Sequence, residues 1–303
     1  NFVQTGVTST NGVSVANNTE NMTYRISLSD MRNKGIIPNA DLFRNTINFN
    51  STLKVTDNFR LSTNVDFSRN RSNNRPAGER GANPLQWAYA ISANTDIRDL
   101  KDYWVPGQEG LAVRSTHPSV DNPYFLANEV NNAFVRDRVY GNIRADWDIT
   151  NDLSLMLRYG LDNLNEKRET KISNGYTKEP RGAYGINRIS NFEGNADFLL
   201  SYKKELGSFS LSVSAGGNTR YQAGGSERTA TKGGAGLVVP GVFTVQNILP
   251  ANLDYSSSTY RKQVNSIYEM ATIGFKDMVY VDVSGRTDWS STLPGAKGYF
   301  YPS

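Results

Sequence analysis

Two long arms of alternating residues, joined by a short turn, constrain the fold more than any other feature of the sequence. In residues 136–164, apolar side chains such as Val139 and Ile143 alternate with polar ones such as Arg138 and Asn142. A period of two predicts β-strands with one apolar and one polar face. Each arm has a dozen or more residues, well above the usual length of about five or six. Such a polar face cannot pack against a soluble core, whereas the wall of a transmembrane barrel accommodates both faces.

Similar segments of alternating residues recur along the chain. The connections between them are alternately short and long. Short turns are predicted at one end of the strands, and loops of about 10 to 65 residues at the other. The predicted fold is therefore all-β, an antiparallel transmembrane β-barrel with short periplasmic turns and long extracellular loops. The long loops are predicted at residues 31–41, 71–135, 167–185, 223–261 and 287–298.

The longest predicted loop, residues 71–135, exceeds what a hairpin in a compact domain needs, so we expect it to be functional. Within it, Asn83 and Pro84 predict the start of a short helix, with Asn as the N-cap. A soluble β-sandwich would have shorter strands, and its two ends would not differ in this consistent way.

Composition agrees with a barrel. The sequence has no run of about 18 apolar residues, so it predicts no transmembrane helix, and its mean hydropathy is −0.53. A barrel strand turns only alternate residues toward lipid, which keeps the average polar. The 303 residues include no cysteine, and the net charge is +4. We attribute the basic residues to the lumen and the loops, and expect no nucleic-acid partner.

The two ends of the sequence suggest an internal piece of a longer protein. The chain begins at Asn1, and it stops at Ser303 as a new aromatic run opens. We therefore expect residues 1–303 to form part of a barrel domain, about ten complete strands, with other segments of the protein lying outside them.

Several motifs, in order along the chain, resemble those of the SusC/RagA-type TonB-dependent outer-membrane transporters. The most specific is S-G-R-T-D-W-S-S at residues 284–291, similar to the family's S-G-R-x-D-x-S-S at a strand end. Trp289 stands where Gly is commoner in the family. Further matches are residues 298–303, 35–39 with Arg44, 83–87 and 121–124. The six residues that carry the main motif are Ser284, Gly285, Arg286, Asp288, Ser290 and Ser291.

The resemblance implies a barrel of about 22 strands with an N-terminal plug, in the outer membrane of a bacterium. It also implies active import of large nutrients, with oligosaccharides the first choice and peptides the second. A SusD-like surface lipoprotein would act as a lid, and TonB would supply energy through segments outside this chain. A passive porin-like channel and a surface adhesin are the alternatives, since fold alone does not determine function.

Charged residues on the polar parity are predicted to face the lumen, where they would contact water, one another or the plug. Those predicted to do so are Arg44, Arg60, Asp66, Arg138, Arg144, Asp146 and Arg158. The opposite parity is predicted to contact outer-membrane lipid.

Aromatic residues are concentrated in the longest loop. They could pack the loop onto the barrel rim, form hot spots for a lid, because Trp and Tyr favour interface cores, or stack on sugar rings. The candidates for a lid or ligand site are Trp87, Tyr89, Tyr103, Trp104, Tyr124 and Phe125.

No residue pattern indicates catalysis, a cofactor or a metal. His117 is the only histidine, and no serine has the surroundings of an activated nucleophile. The glycine-rich residues 224–236 lack the G-K-[ST] order of a phosphate-binding loop. We therefore expect a protein that is not an enzyme.

Overall fold

The protein forms one large antiparallel sheet, in which each strand pairs with its neighbours in the sequence. A computed structural model describes residues 1–78 and 82–293, and the backbone of residues 299–302. The eleven strands are β1 Val7–Asn18, β2 Met22–Lys34, β3 Asp41–Thr56, β4 Phe59–Ser72, β5 Val130–Asp148, β6 Leu153–Ile172, β7 Ala183–Leu206, β8 Phe209–Thr231, β9 Leu253–Phe275, β10 Val279–Ser290 and β11 Tyr299–Pro302.

Ten long strands and the four-residue β11 confirm the predicted antiparallel barrel wall. Within the described residues the sheet is open, with β1 at one edge and β11 at the other. The turns at residues 57–58, 149–152 and 207–208 lie at one end. Connections of residues 73–129, 173–182 and 232–252 lie at the other end. The short and long connections therefore segregate as the sequence predicts.

The strands extend further toward the long loops than the sequence indicates. Residues 167–172 and 183–185 were predicted as loop, yet they pair within β6 and β7. Residues 223–231 and 253–261 likewise pair in register as the ends of β8 and β9. Residues 167–172, 223–231 and 253–261 carry polar residues on both faces, so the alternation that reveals the rest of each strand is lost there. The physical reason is that these strand ends meet water or the long connections, as Tyr184 does, so neither face has to be consistently apolar.

One face of the sheet is apolar and exposed. Across the strands, Leu61, Ala145, Leu157, Phe198, Gly217 and Ile267 stand in one row of directly opposed residues. Ile143, on the same face, has 57% of its surface exposed. An apolar surface that extends across ten strands is typical of contact with lipid.

The helices lie in the long connections. They are α1 Pro84–Ala90 and α2 Pro123–Glu129, with 3-10 turns at Ile97–Leu100, Val245–Asn247 and Pro250–Asn252. Asn83 caps α1 by accepting a hydrogen bond from the Leu85 amide, which confirms the predicted helix start. None of the helices that the structure describes has the length and apolar character to cross a membrane.

Candidate functional site

The charged residues predicted for the lumen all lie on the polar face of the sheet. Directly opposed residues of antiparallel strands share a face, and the register opposes Arg60 to Asp146 and Arg144 to Arg158. The same register places Arg44, Asp66 and Arg138 on that face. That this face lines a lumen remains a prediction.

Most of these charges are matched by a neighbour on the same face. Arg144 donates from Nε to both carboxylate oxygens of Asp146, at 3.0 and 2.9 Å. Arg158 Nε lies 3.0 Å from a carboxylate oxygen of Asp197, whose side chain is only 6% exposed. Arg138 forms a two-pronged ion pair with Asp162. Arg138, Arg144 and Arg158 are therefore each held in place by a carboxylate of the same face.

The remaining three have polar partners or longer ion pairs. Arg60 lies 3.7 Å from the carboxylate of Asp148. Arg44 Nε donates to Asn70 Oδ1 at 2.8 Å, and Asp66 accepts from the Asn48 amide at 2.7 Å. These contacts form rows of side-chain hydrogen bonds across β3 and β4.

The side-chain amides of Asn50 and Asn64 line a hollow in the polar face, which the sequence did not reveal. Asn64 donates to Asn50, which donates to Asn48. The hollow has a volume of about 560 Å³, and Arg25 and Asn142 also line it. That volume is within the range of small-molecule sites. Amides both donate and accept, so this surface suits neutral polar ligands with hydroxyl or peptide groups.

Aromatic residues of the longest connection pack into a core of their own. The ring of Trp104 lies edge-on to that of Phe125, with centroids 5.5 Å apart at an interplanar angle of 84°. Tyr103 packs on both rings. Trp87 packs, partly buried, against the same cluster. These residues therefore fold residues 82–129 into a compact unit.

The other two aromatic candidates differ from each other. Tyr124 is buried and meets Phe2 edge-on at 4.9 Å, which ties the N-terminal segment to the loop. Tyr89 is 86% exposed at the end of α1. Of the six candidates, Tyr89 is thus the one best placed to contact another molecule.

Hydrogen bonds of two carboxylates join this unit to the connection at residues 173–182. Asp121 accepts hydrogen bonds from the backbone N–H and the hydroxyl of Thr177, at 3.1 and 2.7 Å. Glu129 accepts from the hydroxyls of Tyr103 and Ser173, at 2.9 and 2.5 Å. Burial raises the pKa of the Asp121 carboxyl above its ordinary value, although the Thr177 bonds oppose the shift. Desolvation, together with the hydrogen bond to Glu129, raises the pKa of the Tyr103 hydroxyl.

The connection at residues 232–252 presents apolar side chains at its surface. Val238 and Val239 are 56% and 51% exposed, and Leu249 is also exposed. Beneath them, Leu237 and Ile248 are buried against Tyr184. The sequence predicts only a loop at residues 223–261, of which residues 224–236 are rich in glycine. The run G-L-V-V-P-G-V-F at residues 236–243 was the available signal for an apolar surface.

The motif residues gather where β9 and β10 approach the long connections. Arg286 donates from Nε to Asp288 at 2.8 Å and from Nη2 to Ser266 Oγ at 3.0 Å. The backbone N–H of Gln263 donates to Ser291 Oγ at 3.0 Å. The backbone N–H of Ser291 donates in turn to the backbone carbonyl of Gln263 at 2.9 Å. Ser284, Gly285 and Ser290 are part of β10. The motif therefore closes the end of the β9–β10 pair, while Gly298 and Ser303 of the second motif lie outside the described residues.

His117 lies in an exposed bend, where its Nδ1 accepts the amide hydrogen of Ser119 at 3.1 Å. Across the part of the chain that the structure describes, no group of three or more His, Cys, Asp or Glu side chains is arranged to hold a metal ion.

Comparison with known proteins gives three informative matches. A TonB-dependent receptor P3 of Formosa agariphila is 22% identical over 99% of this chain and 30% of that protein. The solved RagAB peptide transporter has a TM-score of 0.75 at 17% identity, over 97% of this chain and 33% of that one. The BauA ferric preacinetobactin receptor of Acinetobacter baumannii has a TM-score of 0.55 at 13% identity, over 98% of this chain and 43% of that one.

These matches show the fold, and they cover nearly the whole of this chain. The chain spans about a third of the length of the curated relative and of the transporter it matches. No family model matches the chain.

Proposed function

Because the chain has the wall fold of TonB-dependent outer-membrane β-barrels, as its SusC/RagA-like motifs indicated, we propose that it is the middle of a nutrient importer. The observation that carries this proposal is that ten successive long strands form a sheet with one apolar and one polar face. The apolar face is exposed as a lipid-facing wall requires, and the polar face is an ion-paired, amide-rich surface suited to a wet lumen. A complete barrel of this kind has about 22 strands. The proposal assigns the chain no enzymatic activity.

The cargo proposed is a large neutral polar nutrient, an oligosaccharide or a peptide. The amide ladder of Asn48, Asn50 and Asn64 can exchange hydrogen bonds with sugar hydroxyls or with peptide groups. RagAB, to which the chain is similar in fold, is a peptide transporter, which supports peptides as one of the two candidates. Uptake of labelled oligosaccharides and peptides by cells carrying the full-length protein distinguishes the two.

A surface lipoprotein of the SusD type is the proposed lid, and TonB the proposed source of energy. Exposed apolar side chains on the long connections, Tyr89, Val238 and Val239, are suited to bury against a protein partner. TonB would act through segments outside this chain. A passive porin-like channel would need neither partner.

Energy coupling separates the importer from the channel. Cells that express the full-length protein should take up the labelled nutrient, and uptake should stop when TonB is deleted. Uptake that continues unchanged without TonB would favour the porin-like channel. Binding of cells to a surface without any uptake would favour the adhesin.

The lid is tested by purification of the full-length protein in mild detergent. A surface lipoprotein should co-purify in stoichiometric amount, and the double variant Tyr89→Ala, Val239→Asp should weaken that association. Met278→Ala is the matched control, because Met278 is an equally exposed apolar residue at the opposite, short-turn end. Unchanged co-purification in the double variant would remove these residues from the interface.

A further inference from the structure

The apolar face of the sheet changes character as the strands approach the long connections. Phe67, Val139, Asn163 and Phe192 form one of its last largely apolar rows. One step nearer the loops, the next row on this face is Arg69, Asp137, Asn165, Ser190, Gly225 and Thr259. This polar row directly continues the surface assigned to lipid, on the side where the long loops lie.

The following row contains two cations in direct opposition. Lys167 on β6 stands opposite Arg188 on β7, and both side chains are exposed on this face. Like charges in directly opposed positions are destabilising unless something neutralises them. Glu227 stands opposite Arg188 on β8. Even so, among the residues that the structure describes, no carboxylate oxygen lies within 4.0 Å of the charged nitrogens of Lys167 or Arg188.

The polar face of the same sheet shows how such a pair is normally resolved. Arg144 and Arg158 also stand directly opposite each other on β5 and β6. Each has its own carboxylate, Asp146 and Asp197, at hydrogen-bonding distance. The pair Lys167 and Arg188 differs from it because, among the described residues, neither cation has a carboxylate at that distance, so both remain available to an anion from outside the chain.

These cations border a hollow with a volume of about 650 Å³, here called the outer-face hollow. Arg69, Lys167 and Arg188 supply positive charge around it, and Asp137 and Glu227 supply acceptors. Asp137 Oδ1 is buried without a hydrogen bond, and lies 3.5 Å from Arg69 Nε. A Cβ on Gly225 would lie 2.3 Å from the Ser258 carbonyl oxygen, so glycine allows β8 and β9 to approach closely at the border of the hollow.

We propose that the outer-face hollow binds the phosphorylated sugar headgroup of a glycolipid in the outer leaflet of the outer membrane. The inference rests on the barrel-wall assignment of the proposed function, and is independent of the cargo. The phosphate takes the place between Lys167 and Arg188, where two cations converge without an anion. The sugar hydroxyls donate to Glu227 and to the accessible part of the Asp137 carboxylate, whose side chain is 42% exposed although its Oδ1 is buried toward Arg69. The acyl chains then lie along the apolar rows that begin below the hollow.

The position of the outer-face hollow in the sheet favours a glycolipid as its ligand. The hollow lies at the long-loop end, which in outer-membrane barrels is the outer side. A glycerophospholipid phosphate would satisfy the two cations, but its headgroup offers fewer hydroxyls to Asp137 and Glu227 than a sugar does. A phosphorylated sugar satisfies both kinds of group.

The test uses the full-length protein, purified in detergent and stripped of lipid. Binding of diphosphorylated lipid A is titrated by native mass spectrometry, with dephosphorylated lipid A and phosphatidylglycerol measured alongside. The variant is Lys167→Gln, Arg188→Gln, and its charge-conserving counterpart is Lys167→Arg, Arg188→Lys. Lys203→Gln is the control, because Lys203 lies on the opposite face of β7. Resistance to unfolding in SDS without heating shows that each variant forms a barrel.

We expect the double glutamine variant to bind diphosphorylated lipid A about thirtyfold more weakly, at about one kcal/mol per cation. The charge-conserving variant and Lys203→Gln should bind as the unchanged protein does, and dephosphorylated lipid A should bind weakly throughout. Equal binding by the double glutamine variant would overturn the site. Equal binding of phosphatidylglycerol would overturn the glycolipid assignment. Because lipid binding needs no cargo, a failure of nutrient uptake would refute the proposed function without affecting this result.

Discussion

The carboxylate of Asp121 holds the backbone amide and the hydroxyl of Thr177, and so joins two connections that are far apart in the sequence. Asp121 directly precedes Asn122, which caps α2 by accepting from the amides of Tyr124 and Phe125. The aspartate therefore fixes the position of α2 as well as the contact between residues 73–129 and 173–182. A mobile loop would not bury a carboxylate in this way.

Replacing Asp121 with Ala should release the longest connection from its neighbour. The amide and hydroxyl of Thr177 would lose their acceptor, and leaving such donors without a partner costs about 1–3 kcal/mol. Hydrogen exchange on the full-length protein should show reduced protection in residues 173–182 and in α2, with the strands unaffected. Asp102→Ala is the control, because Asp102 is exposed in the same connection. Equal effects of the two changes would contradict a specific role for Asp121.

The same contact should depend on pH. Because the pKa of Asp121 is raised in the folded protein, the folded state binds this proton more tightly than the unfolded chain does. The stability gained from this group is full below the ordinary value of 3.8, and is lost as pH rises through the raised pKa. Protection of residues 173–182, corrected for intrinsic exchange, should therefore fall as the pH rises from below 3.8 through the raised pKa of Asp121. Asp121→Asn, which cannot ionise, should show no such fall.

A cation on the apolar face should be far more disruptive than one on the polar face. Ile143→Lys places a charge on the surface assigned to lipid, at a cost of about 2–4 kcal/mol near the bilayer midplane. Asn142→Lys, at the next position of β5, adds the charge to the polar face, where the cost should be small. Urea unfolding of the full-length protein in lipid vesicles measures both. Equal destabilisation would contradict the assignment of the two faces.

The aromatic core of the longest connection should depend on Phe125. This side chain is fully buried, and both Tyr103 and Trp104 pack against it. Phe125→Ala should cost about 3–5 kcal/mol of local stability, seen as rapid proteolysis within residues 82–129. Tyr89→Ala, at an exposed aromatic, should leave the proteolysis rate unchanged. If both variants resist proteolysis as the unchanged protein does, the loop does not depend on this core.

Gly141 on β5 and Gly160 on β6 should respond differently to replacement by alanine. A Cβ on Gly141 would lie 2.1 Å from the Asn64 carbonyl oxygen, and backbone cannot yield as a side chain can. A Cβ on Gly160 would meet nothing closer than 3.6 Å. Gly141→Ala should therefore lower the free energy of unfolding by about 1–3 kcal/mol, and Gly160→Ala should have little effect. Urea unfolding of the full-length protein distinguishes them, and equal values would show that β4 moves away to make room.

The membrane-facing part of the fold could be predicted because its physical requirements repeat at every second residue. The alternation around Val139 and Ile143 reflects lipid on one side and water on the other, so it can be read without knowing the neighbours. The same reasoning placed Arg144, Asp146 and Arg158 correctly on one face. It failed at residues 223–231 and 253–261, where both faces of the strand are polar and no alternation exists.

The roles of the loop residues could not be predicted, because burial there depends on contacts between distant segments. Trp104 and Tyr89 have the same aromatic character in the sequence, yet one is packed in a core and the other is exposed. Nothing near Lys167 in the sequence indicates that it stands opposite Arg188. Local sequence thus determined the strands, their faces and their order, since each follows from the solvent that a side chain meets. Only the tertiary structure decided which charges are matched and which aromatic residues remain exposed, because those depend on register and packing between residues far apart in the chain.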